Sequence, residues 1–167
     1  MTIPEQTSGD GGPGPAVEAT GLRKTFGPIH AVDGINLALA PGRVFGLLGP
    51  NGSGKTTLIR LLIGLARPTS GEARVLGTRL PSRELLSRIG YMPQGDGLYP
   101  ELSVWENLRF FASVFGTTLE AGYDIIAPIY RQIEPFRDRR AGALSCGMKQ
   151  KLALSCALVH RPQLLLL

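Results

Sequence analysis

The first apolar stretches of the chain are short, and turn residues separate them. Apolar residues dominate Val17–Leu22, Ile29–Val32 and Ile35–Leu39, with breaks at Phe26-Gly27-Pro28 and Asp33-Gly34. Short apolar segments bounded by Gly, Pro and Asp are typical of strands joined by tight turns. The pattern therefore predicts a small antiparallel sheet with a strand in each stretch.

A different pattern surrounds the glycine-rich loop that follows. Arg43–Leu48 is an almost continuous apolar run, as expected of a strand that is buried on both faces. Gly49–Gly54 then forms the loop, and Lys55–Leu65 carries leucines at helical spacing. Beyond them the pattern predicts a strand at Glu72–Leu76, a short helix at Arg83–Arg88 and a second buried strand at Ile89–Met92.

The second half of the chain is mostly helical in pattern. Ser103 and Glu106 have the spacing of a capping box, which predicts a helix over Val104–Phe115. Further helices are predicted within Leu119–Arg131 and from Ser145 to about His160, and the apolar Gln163–Leu167 predicts a final strand. Buried strands combined with helices indicate an α/β fold class.

Composition places the chain among globular proteins. Its 167 residues are 43% hydrophobic and 19% charged, which excludes a fibrous or wholly disordered chain. Only residues 1–16, rich in Gly and Pro, are expected to form a disordered tail. No signal peptide is evident and no apolar run approaches the roughly 18 residues that span a bilayer, so a membrane role must come through a partner.

Charge and cysteine content exclude two further classes. The net charge is +5, but the cations are scattered apart from Arg137, Arg139 and Arg140, so no nucleic acid is expected as a partner. Cys146 and Cys156 form neither a disulfide framework nor a CxxC zinc pair. A reducing, cytoplasmic setting fits these thiols best.

The glycine-rich loop matches the phosphate-binding pattern G-x-x-x-x-G-K-[ST]. Its glycines allow a tight turn with inward N–H groups, and the helix that follows adds partial positive charge. Lys55 can reach the β- and γ-phosphates, so it is a candidate catalytic residue, and the Thr56 hydroxyl can ligate Mg²⁺. We therefore predict that ATP binds here with magnesium. The predicted contacts are Gly49, Pro50, Asn51, Gly52, Ser53, Gly54, Lys55, Thr56 and Thr57.

The segment GPNGSGKTT (49–57) also resembles the Walker A motif of ABC ATPases, the nucleotide-binding subunits of ABC transporters. LRKTFG contains Phe26 where the family has an aromatic residue that stacks on adenine. IGYMPQ resembles the Q-loop, whose glutamine, here Gln94, would contact Mg²⁺ and the attacking water, which makes it a second catalytic candidate. LSCGMKQ resembles the ABC signature, so Ser145 and Gly147 would contact the γ-phosphate of an ATP bound by the opposite subunit.

The resemblance covers about residues 17–167 and implies a P-loop NTPase fold, with a RecA-like parallel sheet core, an antiparallel β subdomain and a helical subdomain. It implies a β subdomain and nucleotide-binding core at 17–94, a helical subdomain with the signature at 95–160 and the start of the Walker B strand at 161–167. The implied function is the ATP-hydrolysing motor subunit of an ABC transporter, most similar in its motifs to multidrug and ABC-2 exporters. Its partners would be a transmembrane permease and a second ABC ATPase subunit in a head-to-tail dimer, on the inner face of the plasma membrane.

Two alternatives stay open at the level of sequence. A soluble ABC-type ATPase of DNA repair or chromosome maintenance would carry a coiled coil or zinc module between the Q-loop and the signature. The stretch between Gln94 and Ser145 carries neither heptads nor a cysteine pair, which disfavours this class. The other alternative is a non-catalytic nucleotide-binding module.

Two departures from the family pattern qualify the expected activity. Cys146 occupies the position of the first signature glycine, where the absence of a side chain lets the backbone approach the phosphate. The chain ends at Leu167, directly before the Asp-Glu of Walker B, which would hold the metal and polarise the attacking water. We therefore expect a fragment that lacks its C-terminal part, leaves Gln163–Leu167 unpaired and hydrolyses almost no ATP by itself.

Overall fold

The computed structural model describes residues 14–93, residue 95 and residues 97–167. Most of the predicted tail, and the predicted site residue Gln94, therefore lie outside the described residues. Within the described part, Ala16 already joins the sheet, because its N–H donates to Leu39 O and its carbonyl accepts from Leu76 N–H. The chain divides into two compact units, one that ends at Leu86 and one that comprises Ser87–Leu167.

The first unit is built on an antiparallel sheet, as predicted. Its strands are β1 (Val17–Phe26), β2 (Ile29–Leu39), β3 (Ser70–Val75) and β4 (Thr78–Arg79), in the spatial order β2-β1-β3-β4. The prediction of a turn at Asp33-Gly34 is wrong, because β2 continues through it. The register with β1 shifts there and Gly34 has a φ of +65°, so the glycine forms a bulge that bends the strand without ending it.

The first helix is α1 (Lys55–Leu62), which is shorter than the predicted Lys55–Leu65. Its buried residues are Leu58, Leu61 and Leu62, three of the four leucines on the predicted face. The prediction is wrong for the fourth, Leu65, which lies beyond the helix and is 63% exposed. The predicted buried strand Arg43–Leu48 is wrong: it forms no strand, and Val44 and Leu48 are almost fully exposed. A strand requires a hydrogen-bonded neighbour, and this segment has none among the residues that the structure describes.

The second unit contains the parallel pairing that the fold class requires. A 3₁₀ helix (Glu84–Arg88), which begins in the first unit and ends in the second, leads into β5 (Ile89–Tyr91), and β5 pairs in parallel with β6 (Leu164–Leu166). The expectation that Gln163–Leu167 is unpaired is therefore wrong, since β6 has β5 on one side. The α/β fold class is confirmed: the described residues contain an antiparallel sheet, a parallel pair and helices.

The helices of the second unit are α2 (Val104–Val114), α3 (Leu119–Tyr130) and α4 (Cys146–Leu158). They enclose a common apolar core that includes Leu108, Ile126, Tyr130 and Leu152, and short 3₁₀ helices at Glu134–Phe136 and Ala141–Ala143 connect α3 to α4. The capping box on α2 is confirmed, because Glu106 N–H donates to Ser103 Oγ while Ser103 N–H donates to the Glu106 carboxylate.

Gly122 of α3 packs closely against the end of α4. A Cβ built on Gly122 would lie 2.0 Å from Val159 O, so only glycine permits this packing. No helix in the described part of the chain is both long enough and apolar enough to cross a membrane.

Candidate nucleotide-binding site

The glycine-rich loop turns back on itself at two left-handed residues. Gly52 has a φ of +80° and Gly54 a φ of +87°, a region that residues with a Cβ rarely adopt. Gly54 is also the N-cap of α1, and a Cβ on it would lie 2.0 Å from Ala31 O in β2. Gly52 and Gly54 are therefore required by the path of the backbone.

Lys55 lies over the loop that precedes it. Its Nζ donates to Gly49 O and to Pro50 O, both at 2.7 Å, so the ammonium is held at the mouth of the loop by carbonyl groups. The side chain is half-buried. Because both partners are exposed carbonyls rather than carboxylates, the charge of Lys55 is not neutralised by these contacts, and it remains available to an anion.

The start of α1 suits an anion for a second reason. The first N–H groups of a helix have no partner within it, which applies here to Lys55, Thr56 and Thr57. The first turn of α1, which lies wholly within the described residues, contains no acidic side chain that would repel a phosphate. Thr56 is exposed, so its hydroxyl is accessible to a metal ion. Loop, helix start and ammonium together fit a Mg²⁺-bound phosphate chain.

Phe26 ends β1 at the tip of the β1–β2 hairpin. Its side chain is 53% exposed, and the Lys24 Nζ lies 4.9 Å from the ring centroid. An exposed ring at a strand end contributes little to the core, so it is free to stack on another planar group. Phe26 belongs to the same compact unit as the loop, and its role in adenine binding stays a prediction.

The signature-like segment forms the start of α4 in the second unit. Ser145 is the N-cap, and its Oγ accepts from Met148 N–H at 3.4 Å. Ser145, Cys146 and Gly147 are all exposed. A Cβ built on Gly147 would meet no described residue within 4 Å, and its backbone is helical, so the fold itself does not require glycine there.

A buried polar residue lies outside the sequence motifs. Asn107 in α2 is fully buried, yet it lies at helical spacing with the buried Val104 and Leu108. Its Oδ1 accepts from Tyr99 N–H at 2.9 Å, and its Nδ2 lies 2.9–3.2 Å from the carbonyl oxygens of Tyr99, Leu102 and Ser103. A polar side chain within an apolar helix face was the available signal, because such a residue must find partners inside the fold.

Comparison with known proteins identifies close relatives. A family model described as ABC transporter matches residues 32–167. The chain is 40% identical over 159 residues to the Nod factor export ATP-binding protein I of Paraburkholderia xenovorans (strain LB400), and the match covers 93% of the chain and 52% of the relative. It is 42% identical over 163 residues to the probable multidrug ABC transporter ATP-binding protein YbhF of Escherichia coli (strain K12), covering 95% of the chain and 28% of that relative.

A solved structure described as the ATP binding subunit of an ABC transporter superposes with a TM-score of 0.80 at 28% identity, covering 90% of the chain and 64% of that structure. The chain thus spans about half the length of the first relative, and less of the second.

Proposed function

The chain belongs to the ABC transporter family, and from that premise we propose that it provides the ATP-binding part of a motor subunit that couples ATP hydrolysis to export. Members of this family bind ATP, typically with Mg²⁺. The observation that carries the proposal is the loop at Gly49–Lys55, where the Lys55 ammonium is hydrogen-bonded to the loop carbonyls and the loop leads directly into the start of a helix. Such a site binds a triphosphate through many weak contacts at once.

Each part of the loop has a defined task in this proposal. The N–H groups at the start of α1 donate to the phosphate oxygens, and Lys55 exchanges its carbonyl partners for the β- and γ-phosphates. Thr56 holds the metal ion, and Mg²⁺ supplies the charge that neutralises the phosphates when it is bound. We assign Gln94 to the metal and the attacking water by resemblance alone, because it lies outside the described residues.

The remaining predicted contacts involve the base and a second subunit. Phe26 would stack on adenine, which its exposed position at the hairpin tip supports. Ser145 and Gly147 would contact the γ-phosphate of an ATP bound by another ABC ATPase subunit. The open space around Gly147 supports this role, because glycine there offers the chain no structural advantage.

Besides a second ABC ATPase subunit, export requires a partner protein in the membrane. The relative with 40% identity is named as an export ATP-binding protein, and the relative with 42% identity as a multidrug transporter ATP-binding protein. We propose that this protein likewise works with a separate transmembrane permease on the cytoplasmic face of the plasma membrane. No nucleic acid is part of the proposal.

Nucleotide binding by the full-length natural protein that carries this sequence (below, the complete protein) tests the proposal. Lys55→Met removes the ammonium from the loop, whereas the control Arg60→Met removes a cation from the last turn of the same helix. Charge-assisted hydrogen bonds contribute about 1.5–3 kcal/mol, so Lys55→Met should weaken binding of a fluorescent ATP analogue roughly 10- to 100-fold. Arg60→Met should bind as the wild type does. Wild-type protein that neither binds Mg·ATP nor releases phosphate would refute the proposal.

A further inference from the structure

The side chain of Asn107 is hydrogen-bonded to the Tyr99–Leu102 part of the loop that precedes α2. The side-chain amide of Asn107 accepts a hydrogen bond from Tyr99 N–H and donates one to Tyr99 O. It therefore satisfies both backbone groups of Tyr99, as a neighbouring β-strand would. Its Nδ2 also reaches Leu102 O at 3.2 Å. An amide supplies acceptor and donors at once, which neither an apolar side chain nor a carboxylate can do. The path of the loop from Tyr99 to Leu102 therefore depends on Asn107.

The same loop is hydrogen-bonded to the segment that precedes α4. Ala141 N–H donates to Leu102 O at 2.8 Å, and Gly142 N–H donates to Pro100 O at 2.9 Å. The fit is close, since a Cβ on Gly142 would lie 3.1 Å from Pro100 O. These two contacts join the loop to the 3₁₀ helix Ala141–Ala143, which leads through Leu144 into the start of α4.

The first turn of α2 strengthens this connection. Val104 N–H donates to Arg139 O at 3.0 Å and Trp105 N–H donates to Arg137 O at 2.9 Å. These N–H groups have no partner within α2, and they bind the segment that precedes α4. The Arg137 guanidinium also lies over the Trp105 ring, 4.7 Å from its centroid. The segment before α4 is thus hydrogen-bonded both to the loop and to α2. Asn107 is itself part of α2, and its side chain is hydrogen-bonded to the loop.

We propose that Asn107 is a positioning residue for the signature-like helix start. Its amide fixes the Tyr99–Leu102 loop, the loop fixes Ala141 and Gly142, and these set where Ser145 and Gly147 lie relative to α2. The inference rests on the proposed function, because the position of this helix start matters only where it meets a nucleotide on a second subunit. It goes beyond that function in assigning a role to a buried residue that touches no nucleotide.

Hydrogen exchange in the 167-residue chain tests the physical link. Asn107→Ala should accelerate exchange of the Tyr99, Ala141 and Gly142 amides at least tenfold more than that of amides in the middle of α3. The control Leu108→Ala removes a buried neighbour on α2 that makes no such hydrogen bonds, and it should accelerate all of these amides alike. The same pattern of exchange in both variants would overturn the inference.

ATP-dependent dimerisation of the complete protein tests the functional consequence. At a temperature where both variants are folded, Asn107→Ala should leave the Kd of the monomer for ATP unchanged and weaken dimerisation about tenfold, whereas Leu108→Ala should leave both unchanged. If the wild type binds ATP and dimerises but Asn107→Ala matches Leu108→Ala, the inference fails and the proposed function stands. If the wild type does not bind ATP, the proposed function itself fails.

Discussion

Gly54→Ala separates the two reasons for a glycine at the end of the phosphate loop. The first reason is conformational, because alanine at the observed φ of +87° costs about 1–2 kcal/mol. The second is steric, because the new Cβ would lie 2.0 Å from Ala31 O, and the pair must separate by roughly 1 Å or more to reach a normal contact. Since Gly54 is the N-cap of α1, this separation has to displace either the helix start or β2.

Gly42→Ala is the matched control. Gly42 also has a positive φ, +69°, but a Cβ there would meet no described residue within 4 Å. Both substitutions reduce the freedom of the unfolded chain equally, so the difference between them isolates the contact with Ala31. We expect Gly42→Ala to lower the free energy of unfolding by about 1 kcal/mol and Gly54→Ala by about 3–4 kcal/mol.

Denaturant unfolding of the 167-residue chain, followed by circular dichroism, measures both values. Equal free energies of unfolding for the two variants would show that the Ala31 carbonyl moves aside at no cost, and the steric reason would be wrong. A functional measurement complements it: Gly54→Ala should also weaken ATP binding by the complete protein, since the displaced helix start carries the N–H groups that face the phosphates. Gly42→Ala should not.

Three further predictions follow from buried or exposed groups in the second unit. The Tyr130 hydroxyl is buried without a hydrogen-bond partner among the described residues, so Tyr130→Phe should raise the free energy of unfolding by up to about 1 kcal/mol, and a loss in denaturant unfolding would reveal a missed partner. Burial lowers the pKa of His160, so the unfolded chain binds the proton more readily; stability should therefore fall as the pH drops below about 6.5, and His160→Phe should flatten this dependence in unfolding curves taken from pH 7.5 to 5. Gly147→Ala should stabilise α4 by up to about 1 kcal/mol and so raise the melting temperature. The same substitution should weaken ATP-dependent dimerisation of the complete protein.

The features that could be predicted from the sequence are those set by neighbours along the chain. The capping box of Ser103 and Glu106, the leucine face of α1 and the cap of α4 at Ser145 each depend on residues within one turn, and each is present. The hydrogen bond from Ser103 N–H also lowers the pKa of Glu106, because it stabilises the charged carboxylate. Local spacing suffices for such features because their partners lie only a few residues apart.

The features that could not be predicted depend on partners far along the chain. An apolar run such as Arg43–Leu48 becomes a strand only beside another strand, and its composition does not say which. Asp33-Gly34 has the composition of a turn, but its pairing with β1 makes it a bulge. The position of Asn107 on an apolar helix face indicates that it has buried partners, but their identity follows only from the structure, because they are backbone groups that any sequence would supply.

Two glycines of the nucleotide motifs support the proposed function to different degrees. Gly54 is required by its φ and by the Ala31 carbonyl, so a chain that folded this way without binding any ligand would still need it. Gly147 has an ordinary helical backbone, is exposed, and has no described residue near the position of a Cβ. Glycine costs up to about 1 kcal/mol relative to alanine in a helix, with the full cost in the helix interior, and no contact of a Cβ with the described chain accounts for glycine at this position in the first turn of α4. A glycine that weakens its own helix is best explained by a close contact from outside the chain, so the start of α4 is stronger independent support for an ATP-bridged dimer than the glycine at the end of the phosphate loop.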